Sequence, residues 1–359
     1  MPNEPDIIRA PVVTDQPETD REPVSLPPGP AEDQNRRAYL SLLKLGLCDL
    51  VGAKTSAIHL RYEGQLLFRR ELEEEELKYR VLGLDWPANG LTMTGLERLD
   101  DLQECVETVV RDDVPGDLIE AGTWRGGSSI LMRATLNSLG AHDRTVWLAD
   151  SFNGFPTHDD EAFPEDRFLN VNLDLSKEDF LAVPVEEVRG HFNRFGLDQG
   201  INFVEGFFED TMPGLTGGTW SLIRLDGDTY ESTLLSLRSL YPGLSKGGYV
   251  ILDDYGFLPE CRKAVEDFRR EENVSEPIEE IDWTGARWRK ETDRESSSET
   301  EAPASEGTNG SNRRVDRQSR LNIPTLREHG LENELAAARQ SVAPPPSRLR
   351  RLRERLRRG

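Results

Sequence analysis

The feature that most restricts the fold is a regular alternation of short apolar segments with helical periodicity from Asp117 onward. Each apolar segment has the length of a buried strand, and each intervening stretch repeats apolar residues at helical spacing. We predict strands at 117–120, 145–149, 201–204, 221–225 and 249–252, helices at 128–139, 178–195, 232–241 and 260–271, and a closing pair of strands within 277–288. This order predicts an α/β fold with a doubly wound, mostly parallel sheet covered by helices on both faces.

The segments before and after this alternation differ from it in composition. Residues 1–37 are rich in Pro, Asp and Glu, and residues 291–359 are rich in Ser, Glu, Gly and Arg, so we expect both to be disordered. Residues 38–115 are predicted to form an N-terminal helical cap or lid, with a helix over 95–110 and the acidic run 71–76 as a solvated helix face. Residues 116–290 form the predicted sheet domain.

The chain ends in an arginine-rich segment, PPPSRLRRLRERLRRG. Leu349, Leu352 and Leu356 lie on one helical stripe among these arginines. We interpret the segment as a solvated appendage or a latch on the acidic body of the protein. Contact with an acidic partner, nucleic acid or an anionic membrane surface is the alternative.

The overall charge limits the partners. The chain has 44 Lys and Arg against 66 Asp and Glu, a net charge of −22, which disfavours nucleic acid binding by the folded part. No stretch approaches eighteen apolar residues, and the N-terminus lacks a basic segment followed by an apolar one. We therefore expect no transmembrane segment and a cytosolic protein. The cysteines have neither disulfide-framework nor metal spacing, and Cys48 and Cys105 are predicted to be buried.

The first cluster of functional residues is the turn that follows the strand at 117–120, with the sequence EAGTWRGGS from Glu120 to Ser128. Glycines let the backbone approach a ligand, and free amides at the start of the next helix attract a carboxylate. Ligands of open α/β sheets bind beyond the carboxyl ends of the strands. The turn is therefore a predicted ligand site, although glycine-rich turns are common.

The second cluster begins with Asp150, which ends the next strand and is followed by Ser151 and Phe152. A carboxylate at this position can accept hydrogen bonds from both hydroxyls of a ribose, and Phe152 can flank an adenine. The alternative is that Asp150 caps a helix. Because the chain has no GxxxxGK[ST] sequence, a nucleoside triphosphate is disfavoured, while a nicotinamide dinucleotide stays open at this point.

The third cluster is a set of four carboxylates after two strands that we expect to be neighbours: Asp226, Asp228, Asp253 and Asp254. Unpaired carboxylates repel one another, so such a set requires a cation or raised pKa values. Hard oxygen ligands suit Mg²⁺, and a bound metal ion lowers the pKa of a coordinated hydroxyl. The cluster favours methyl transfer to a hydroxyl over nicotinamide chemistry, and helix capping would explain only one or two of the four.

Five segments together resemble the macrocin O-methyltransferase family, which methylates deoxysugars of macrolide and aminocoumarin antibiotics. They are DLIEAGTWRGGSSILMRA (117–134), VWLADSFNGFP (146–156), RLDGDTYEST (224–233), GGYVILDDYG (247–256) and IDWTGARWRK (281–290). The resemblance covers about residues 39 to 290. It implies a Rossmann-like class I methyltransferase fold, with a seven-stranded sheet and an N-terminal helical extension, that uses S-adenosylmethionine and Mg²⁺ or a similar divalent cation.

The resemblance also implies roles for individual residues. Asp226, Asp253 and Asp254 would hold the metal ion, and Asp226, or else Asp228, would be the catalytic base. His158 and His191 are base candidates by chemistry only and are expected to be exposed. The implied cofactor-binding residues are Met93, Glu120, Gly122, Thr123, Gly126, Gly127, Ser128, Asp150, Ser151, Phe152, Gly206 and Phe208.

The expected reaction is transfer of a methyl group to a sugar hydroxyl that the metal ion acidifies, on a small-molecule acceptor with vicinal hydroxyls. A catechol-like or polyketide hydroxyl would satisfy the same metal ion and is the first alternative. The second is a non-catalytic cofactor-binding module in polysaccharide assembly, which would have no use for four carboxylates. Relatives of this kind self-associate through N-terminal helices, so a homo-oligomer is a further expectation.

Overall fold

The computed structural model describes residues 30–59, 68–156, 161–167, 176 and 178–291. Outside these residues lie His158 and most of the two segments predicted to be disordered, including the arginine-rich end. The first helix begins at Pro30, inside the segment that the sequence analysis assigned to the disordered N-terminus.

The main sheet has seven strands in the order β6-β5-β4-β7-β8-β10-β9. Its five parallel strands are joined by helices, and β10 and β9 add antiparallel pairs at one edge. The strands are β4 (Asp117–Ala121), β5 (Val146–Asp150), β6 (Ile201–Glu205), β7 (Trp220–Leu225), β8 (Leu244–Leu252), β9 (Glu279–Glu280) and β10 (Ala286–Arg289). The order reverses between β4 and β7, so the predicted doubly wound, mostly parallel sheet is confirmed.

Helices cover both faces of the sheet. The described helices are α1 (Pro30–Leu47), α2 (Leu77–Leu82), α3 (Leu96–Arg111), α4 (Gly127–Ser138), α5 (Val185–Phe195), α6 (Phe208–Thr211), α7 (Tyr230–Leu240) and α8 (Pro259–Glu271). Side chains of α1, α3, α4 and α5 pack with Leu118 in one apolar core, whereas α7 and α8 pack with Ile119 in the other. Successive strand residues point to opposite faces, which is why neighbours in β4 belong to different cores.

The N-terminal region adds a small sheet of three strands, β1 (Ser56–His59), β2 (Phe68–Glu71) and β3 (Trp86–Pro87), in the order β2-β1-β3. The acidic run was predicted as one helix face, and this is wrong for its first part. Glu71 ends β2, and a short 3₁₀ turn at Glu74–Glu76 precedes α2. Arg70 of β2 donates two hydrogen bonds, of 2.8 and 2.6 Å, to Glu76, so the strand and the turn are held together.

A second correction concerns the helix predicted over 178–195. A 3₁₀ turn spans Asp179–Leu181, and α5 begins only at Val185, with Pro184 as its N-cap residue. Proline has no N–H and clashes with the preceding turn, so it cannot lie inside the helix. The other strands and helices of the sheet domain lie within a few residues of their predicted bounds.

All three cysteines are free and buried, which confirms the prediction for Cys48 and Cys105. Within the described ranges, no helix is both long enough and apolar enough to cross a bilayer.

Candidate active site

One cavity of about 360 Å³ lies at the carboxyl ends of β4, β5, β7 and β8, next to the reversal in strand order. It collects residues from all three predicted clusters and from the N-terminal region. Its lining includes Gly83, Leu84, Asp85, Trp86, Thr92, Met93, Arg98, Glu120, Gly122, Thr123, Trp124, Ser128, Asp150, Ser151, Phe155, Phe207, Phe208, Asp226, Asp228, Asp253, Asp254, Phe257, Leu258, Trp283 and Thr284.

The turn after β4 is fixed by Asp150. The Oδ2 atom of Asp150 accepts hydrogen bonds from the amides of Thr123 at 2.7 Å and Trp124 at 3.1 Å, and Oδ1 accepts one from the amide of Phe152 at 2.8 Å. Asp150 therefore organises two backbone turns and also lines the cavity.

The glycines of this turn have packing roles. Gly122 has φ 86°, and a Cβ atom there would lie 1.9 Å from the carbonyl oxygen of Asp226. A Cβ atom on Gly127 would lie 2.5 Å from the carbonyl oxygen of Leu91. The amide of Gly127 donates to that same oxygen at 2.9 Å, so this one of the amides at the start of α4 is already bonded within the protein.

The twelve predicted cofactor-binding residues divide into two groups. Eight line the cavity: Met93, Glu120, Gly122, Thr123, Ser128, Asp150, Ser151 and Phe208. Gly126, Gly127, Phe152 and Gly206 are absent from its described lining. Phe152 is buried in the core with its ring centroid 5.9 Å from that of Phe203, so it does not present a free face to the cavity. Phe207, which belongs to the same predicted segment as Gly206 and Phe208, also lines the cavity.

Three carboxylates of the third cluster come together on the cavity wall. One oxygen atom from each of Asp226, Asp228 and Asp254 lies within 4.8 Å of the other two. Asp228 has a left-handed backbone with φ 59°, a conformation that is uncommon for a non-glycine residue but that aspartate adopts more readily than most. The predicted set differs by one member, because it contains Asp253 in place of Asp228.

Asp253 is instead paired with two arginines. Its Oδ1 atom accepts a hydrogen bond of 2.5 Å from Nη2 of Arg224, and its Oδ2 atom accepts one from Nη1 of Arg98. Arg224 also donates from Nη1 to Glu120 at 2.6 Å and to Asp226 at 2.9 Å. One buried guanidinium therefore holds Asp226 and Asp253 side by side, above Glu120.

Arg98 links the N-terminal region to this network. It lies on α3, and its Nε atom donates to Asp282 at 3.1 Å while Nη2 donates to the carbonyl oxygen of Gly83 at 3.4 Å. The residue is buried, and its side chain reaches the end of β8 through Asp253. The loops on either side of the cavity are consequently tied to one another.

The carboxylates of the cavity differ in the direction of their pKa shifts. Burial raises the pKa of Glu120 to about 7, and burial together with the charge of Asp253 raises that of Asp226 to about 6. Burial and neighbouring carboxylates raise the pKa of Asp228 and of Asp254 well above the ordinary range. Burial opposes ionisation of Asp253 as well, but Arg98 and Arg224 outweigh it and lower the pKa of that carboxyl.

His191 is not the exposed residue that the sequence predicted. It lies on α5 and is buried, with its Nδ1 atom 3.0 Å from the carbonyl oxygen of Arg125. It is absent from the described lining of the cavity, and burial lowers its pKa. His191 therefore packs against the turn that follows β4, outside the described cavity lining.

Sequence reasoning missed Arg98 and Arg224. Arg224 is the one charged residue in the strand WSLIRL (220–225), every residue of which is buried. A buried charge requires a partner, so an arginine inside an apolar strand was a signal for an ion-pair network. Arg98 gave a weaker signal, because arginine is common on the exposed face of a helix.

Comparison with known proteins identifies the family of the chain. The sequence pattern of the macrocin O-methyltransferase family matches residues 51–290, which include the whole sheet and every cavity residue. The chain belongs to this family. It is an S-adenosylmethionine-dependent O-methyltransferase with the Rossmann-like class I methyltransferase fold.

Individual relatives are similar over most of their length. The chain is 47% identical over 255 residues, 71% of its own length and 93% of the relative's, to 8-demethyl-8-(2,3-dimethoxy-alpha-L-rhamnosyl)-tetracenomycin-C 4'-O-methyltransferase of Streptomyces olivaceus. It is 43% identical over 212 residues, 59% and 83% of the two lengths, to mycinamicin III 3''-O-methyltransferase of Micromonospora griseorubida. The solved O-methyltransferase NovP matches with a TM-score of 0.63 and 38% identity, covering 72% of this chain and all of NovP.

Proposed function

We propose that this macrocin O-methyltransferase relative methylates a hydroxyl on the sugar of a glycosylated small molecule, with a divalent cation bound beside the cofactor. The observation that carries the proposal is the group formed by Asp226, Asp228 and Asp254 on the cavity wall. No ion pair joins Asp228 or Asp254 to a described lysine or arginine. A cation is the simplest counter-charge for such a group.

The proposed acceptor follows from the relatives. The similar enzyme of Streptomyces olivaceus is named for a rhamnosyl tetracenomycin, and that of Micromonospora griseorubida for mycinamicin III. A sugar with vicinal hydroxyls offers two oxygens to one cation. The lining supports this acceptor because carboxylates and aromatic side chains lie in the same cavity.

The donor set fits a hard cation such as Mg²⁺. Asp226 and Asp254 belong both to the observed group and to the set implied by the family, so we assign them as ligands. We assign Asp253 as the third ligand, since Arg224 holds it beside Asp226 and each of its oxygens keeps a lone pair beyond its arginine contact. The cation would polarise the acceptor hydroxyl and lower its pKa.

Asp228 then serves as the proton acceptor. It lines the cavity beside Asp226 and Asp254, and among the described residues it carries no arginine contact that would neutralise it. A carboxylate free of a ligand role is a better base than a metal-bound one. This reverses the order of the two base candidates, because Asp226 is held by Arg224 and assigned to the cation.

The remaining residues hold the reactants in place. The turn at Thr123 and Trp124, fixed by Asp150, lies at the cofactor end of the cavity. Met93 lines the cavity between buried Thr92 and Thr94, and we place it against the methyl-bearing end of the cofactor. Transfer requires the acceptor oxygen about 3 Å from the methyl carbon and in line with the breaking bond.

Calorimetric titration tests the proposal. S-adenosylmethionine and S-adenosylhomocysteine are titrated into the protein with Mg²⁺ and again after chelation, and rhamnosides and catechols are then screened for methyl transfer. We expect cofactor binding in both conditions and methylation only of glycosides and only with the cation. Turnover that persists after chelation would exclude the cation, and turnover of catechols alone would exclude the sugar.

Two variants separate the ligand assignments. D253N should weaken Mg²⁺ binding, measured by titration of the metal ion in the presence of S-adenosylhomocysteine. D228N should retain Mg²⁺ binding and lose turnover. The opposite result, with Mg²⁺ affinity lost in D228N and kept in D253N, would assign the third ligand to Asp228.

A further inference from the structure

Phe257 is a large apolar side chain exposed next to the carboxylates. Its side chain is 41% exposed, and it lines the same cavity as Asp254. Its amide donates to the carbonyl oxygen of Asp254 at 3.2 Å, so the turn between β8 and α8 fixes its distance from the carboxylates. Because it lies on a cavity wall, this exposed ring offers apolar area that a bound ligand can cover.

Trp283 forms the other half of this apolar surface. The ring centroids of Phe257 and Trp283 lie 5.5 Å apart with the planes at 68°. Trp283 donates from Nε1 to the carbonyl oxygen of Leu82 at 2.8 Å, which ties it to the N-terminal region. Its neighbour Thr284 donates from Oγ1 to the carbonyl oxygen of Asp253 at 2.9 Å. Both rings are therefore held at set positions beside the carboxylates.

We infer that Phe257 and Trp283 form an aromatic platform for the acceptor sugar, and this inference rests on the proposed function. A pyranose ring has hydroxyls around its edge and a face of C–H groups. The face would pack on the platform while two neighbouring hydroxyls reach the carboxylates. Sites for small polar ligands combine apolar walls with a few convergent polar groups in this way.

The platform selects among acceptors. It lies beside Asp253 and Asp254, at the end of β8. The cofactor end instead contains Gly122, which follows β4, and Asp150, which ends β5. A 6-deoxy sugar, with a methyl group in place of a hydroxymethyl group, presents more apolar surface to the rings than a fully hydroxylated hexose. The platform is thus a specificity determinant for deoxysugar acceptors and leaves cofactor binding unaffected.

The test measures binding of methyl α-L-rhamnopyranoside to the full chain with Mg²⁺ and S-adenosylhomocysteine present. Titration gives Kd, and saturation-transfer NMR shows which sugar protons contact the protein. F257A should raise Kd about tenfold, with F257L intermediate and F257W near wild type. The control F195A removes a phenylalanine of equal 41% exposure that is absent from the described cavity lining, and it should leave Kd unchanged.

The outcomes distinguish the platform from the function on which it rests. The platform is supported if F257A loses rhamnoside affinity, keeps the S-adenosylhomocysteine Kd, and shows weaker saturation of the ring C–H protons. It is overturned if F257A binds the rhamnoside as wild type does, or if wild type binds the cofactor product and not the rhamnoside. Failure of wild type to bind S-adenosylhomocysteine would instead refute the proposed function.

Discussion

Two groups of carboxylates lie within one cavity and are built differently. Glu120 and Asp253 are buried and share the guanidinium of Arg224, with Arg98 as a second partner of Asp253. Asp228 and Asp254 lie beside them on the cavity wall and have no arginine partner among the described residues. All four side chains are carboxylates, and the difference lies in their counter-charges.

The difference teaches which carboxylates are structural and which remain available for chemistry. A carboxylate whose oxygens are already held by guanidinium groups stabilises the fold and positions its neighbours. It reaches a cation only through the lone pairs that those groups leave, as we propose for Asp253. A carboxylate that lacks such a partner keeps a raised pKa or takes a cation, and it is therefore reactive towards ligands. Asp226 belongs to both groups, because Arg224 contacts it and it also faces Asp228 and Asp254.

Removing a charge from the unpaired group should have the largest effect on catalysis. We expect D254N to lower kcat/KM for a glycoside acceptor about a thousandfold, equivalent to roughly 4 kcal/mol of transition-state stabilisation. The free energy of unfolding should stay the same or rise, because the substitution removes repulsion between neighbouring carboxylates. Activity assays and denaturant titrations of the same preparations check both statements.

The matched control is D198N, since Asp198 is exposed and lies outside the described cavity lining. It should change neither activity nor stability. A D254N variant that is markedly less stable than wild type would mean that Asp254 belongs to the structural group, and the comparison would fail.

Removing the shared guanidinium should have the largest effect on stability. R224M leaves Glu120 and Asp253 buried without that partner, so we expect the free energy of unfolding to fall by about 3–5 kcal/mol. The control R238M removes an exposed arginine that pairs with Glu271 at 2.7 Å, which should cost less than about 1 kcal/mol. Equal losses in the two variants, measured by urea unfolding, would show that the buried network is not a special source of stability.

The fold could be predicted from the sequence because the strands are short apolar runs whose neighbours have helical periodicity. The errors have local causes. Pro184 makes α5 begin later than the predicted helix, and the pairing of Arg70 with Glu76 holds the acidic run in a strand and a turn. Such effects depend on single backbone positions or on contacts between segments, which periodicity does not encode.

The candidate site was predictable only in outline. Strand ends identified all four acidic positions, since parallel strands end at the same edge of the sheet. Which acids are paired could not be deduced, because Arg98 lies far from Asp253 in the chain and meets it only through the packing of α3. Phe152 was misjudged for a similar reason: its side chain turns into the core against Phe203.

The pH dependence of stability tests a case between the two groups, because Asp226 and Glu120 both contact Arg224 and yet keep raised pKa values. Asp226 has its pKa raised to about 6 and Glu120 to about 7, so the folded state binds protons that the unfolded state has lost. Their contribution is present below about pH 4 and is lost as the pH rises through 6 to 7. Without metal ions, Tm should fall by roughly 4–6 °C between pH 5 and 8. Mg²⁺ should restore Tm at pH 8 and have little effect at pH 5.

Scanning calorimetry with and without chelator measures this slope, and D226N provides the check. Asparagine does not titrate, so the fall in Tm should become shallower in D226N. If D226N keeps the full slope, Glu120 or groups outside the cavity cause it, and the raised pKa of Asp226 does not govern stability.

The smallest effect on stability should come from replacing a planar guanidinium group with an ammonium group of the same charge. Arg98 contacts Asp253, Asp282 and the carbonyl oxygen of Gly83 with three different nitrogen atoms. A lysine at this position keeps the charge but cannot make these contacts together, so R98K should lower the free energy of unfolding by about 1 kcal/mol. The loss is smaller than in R224M because Arg224 still holds Asp253.

If counter-charge alone assigns Asp253 to the structural group, R98K should leave the S-adenosylhomocysteine Kd unchanged. A large loss of cofactor affinity, measured by calorimetry, would mean that the position of the N-terminal region, rather than charge, separates the two groups.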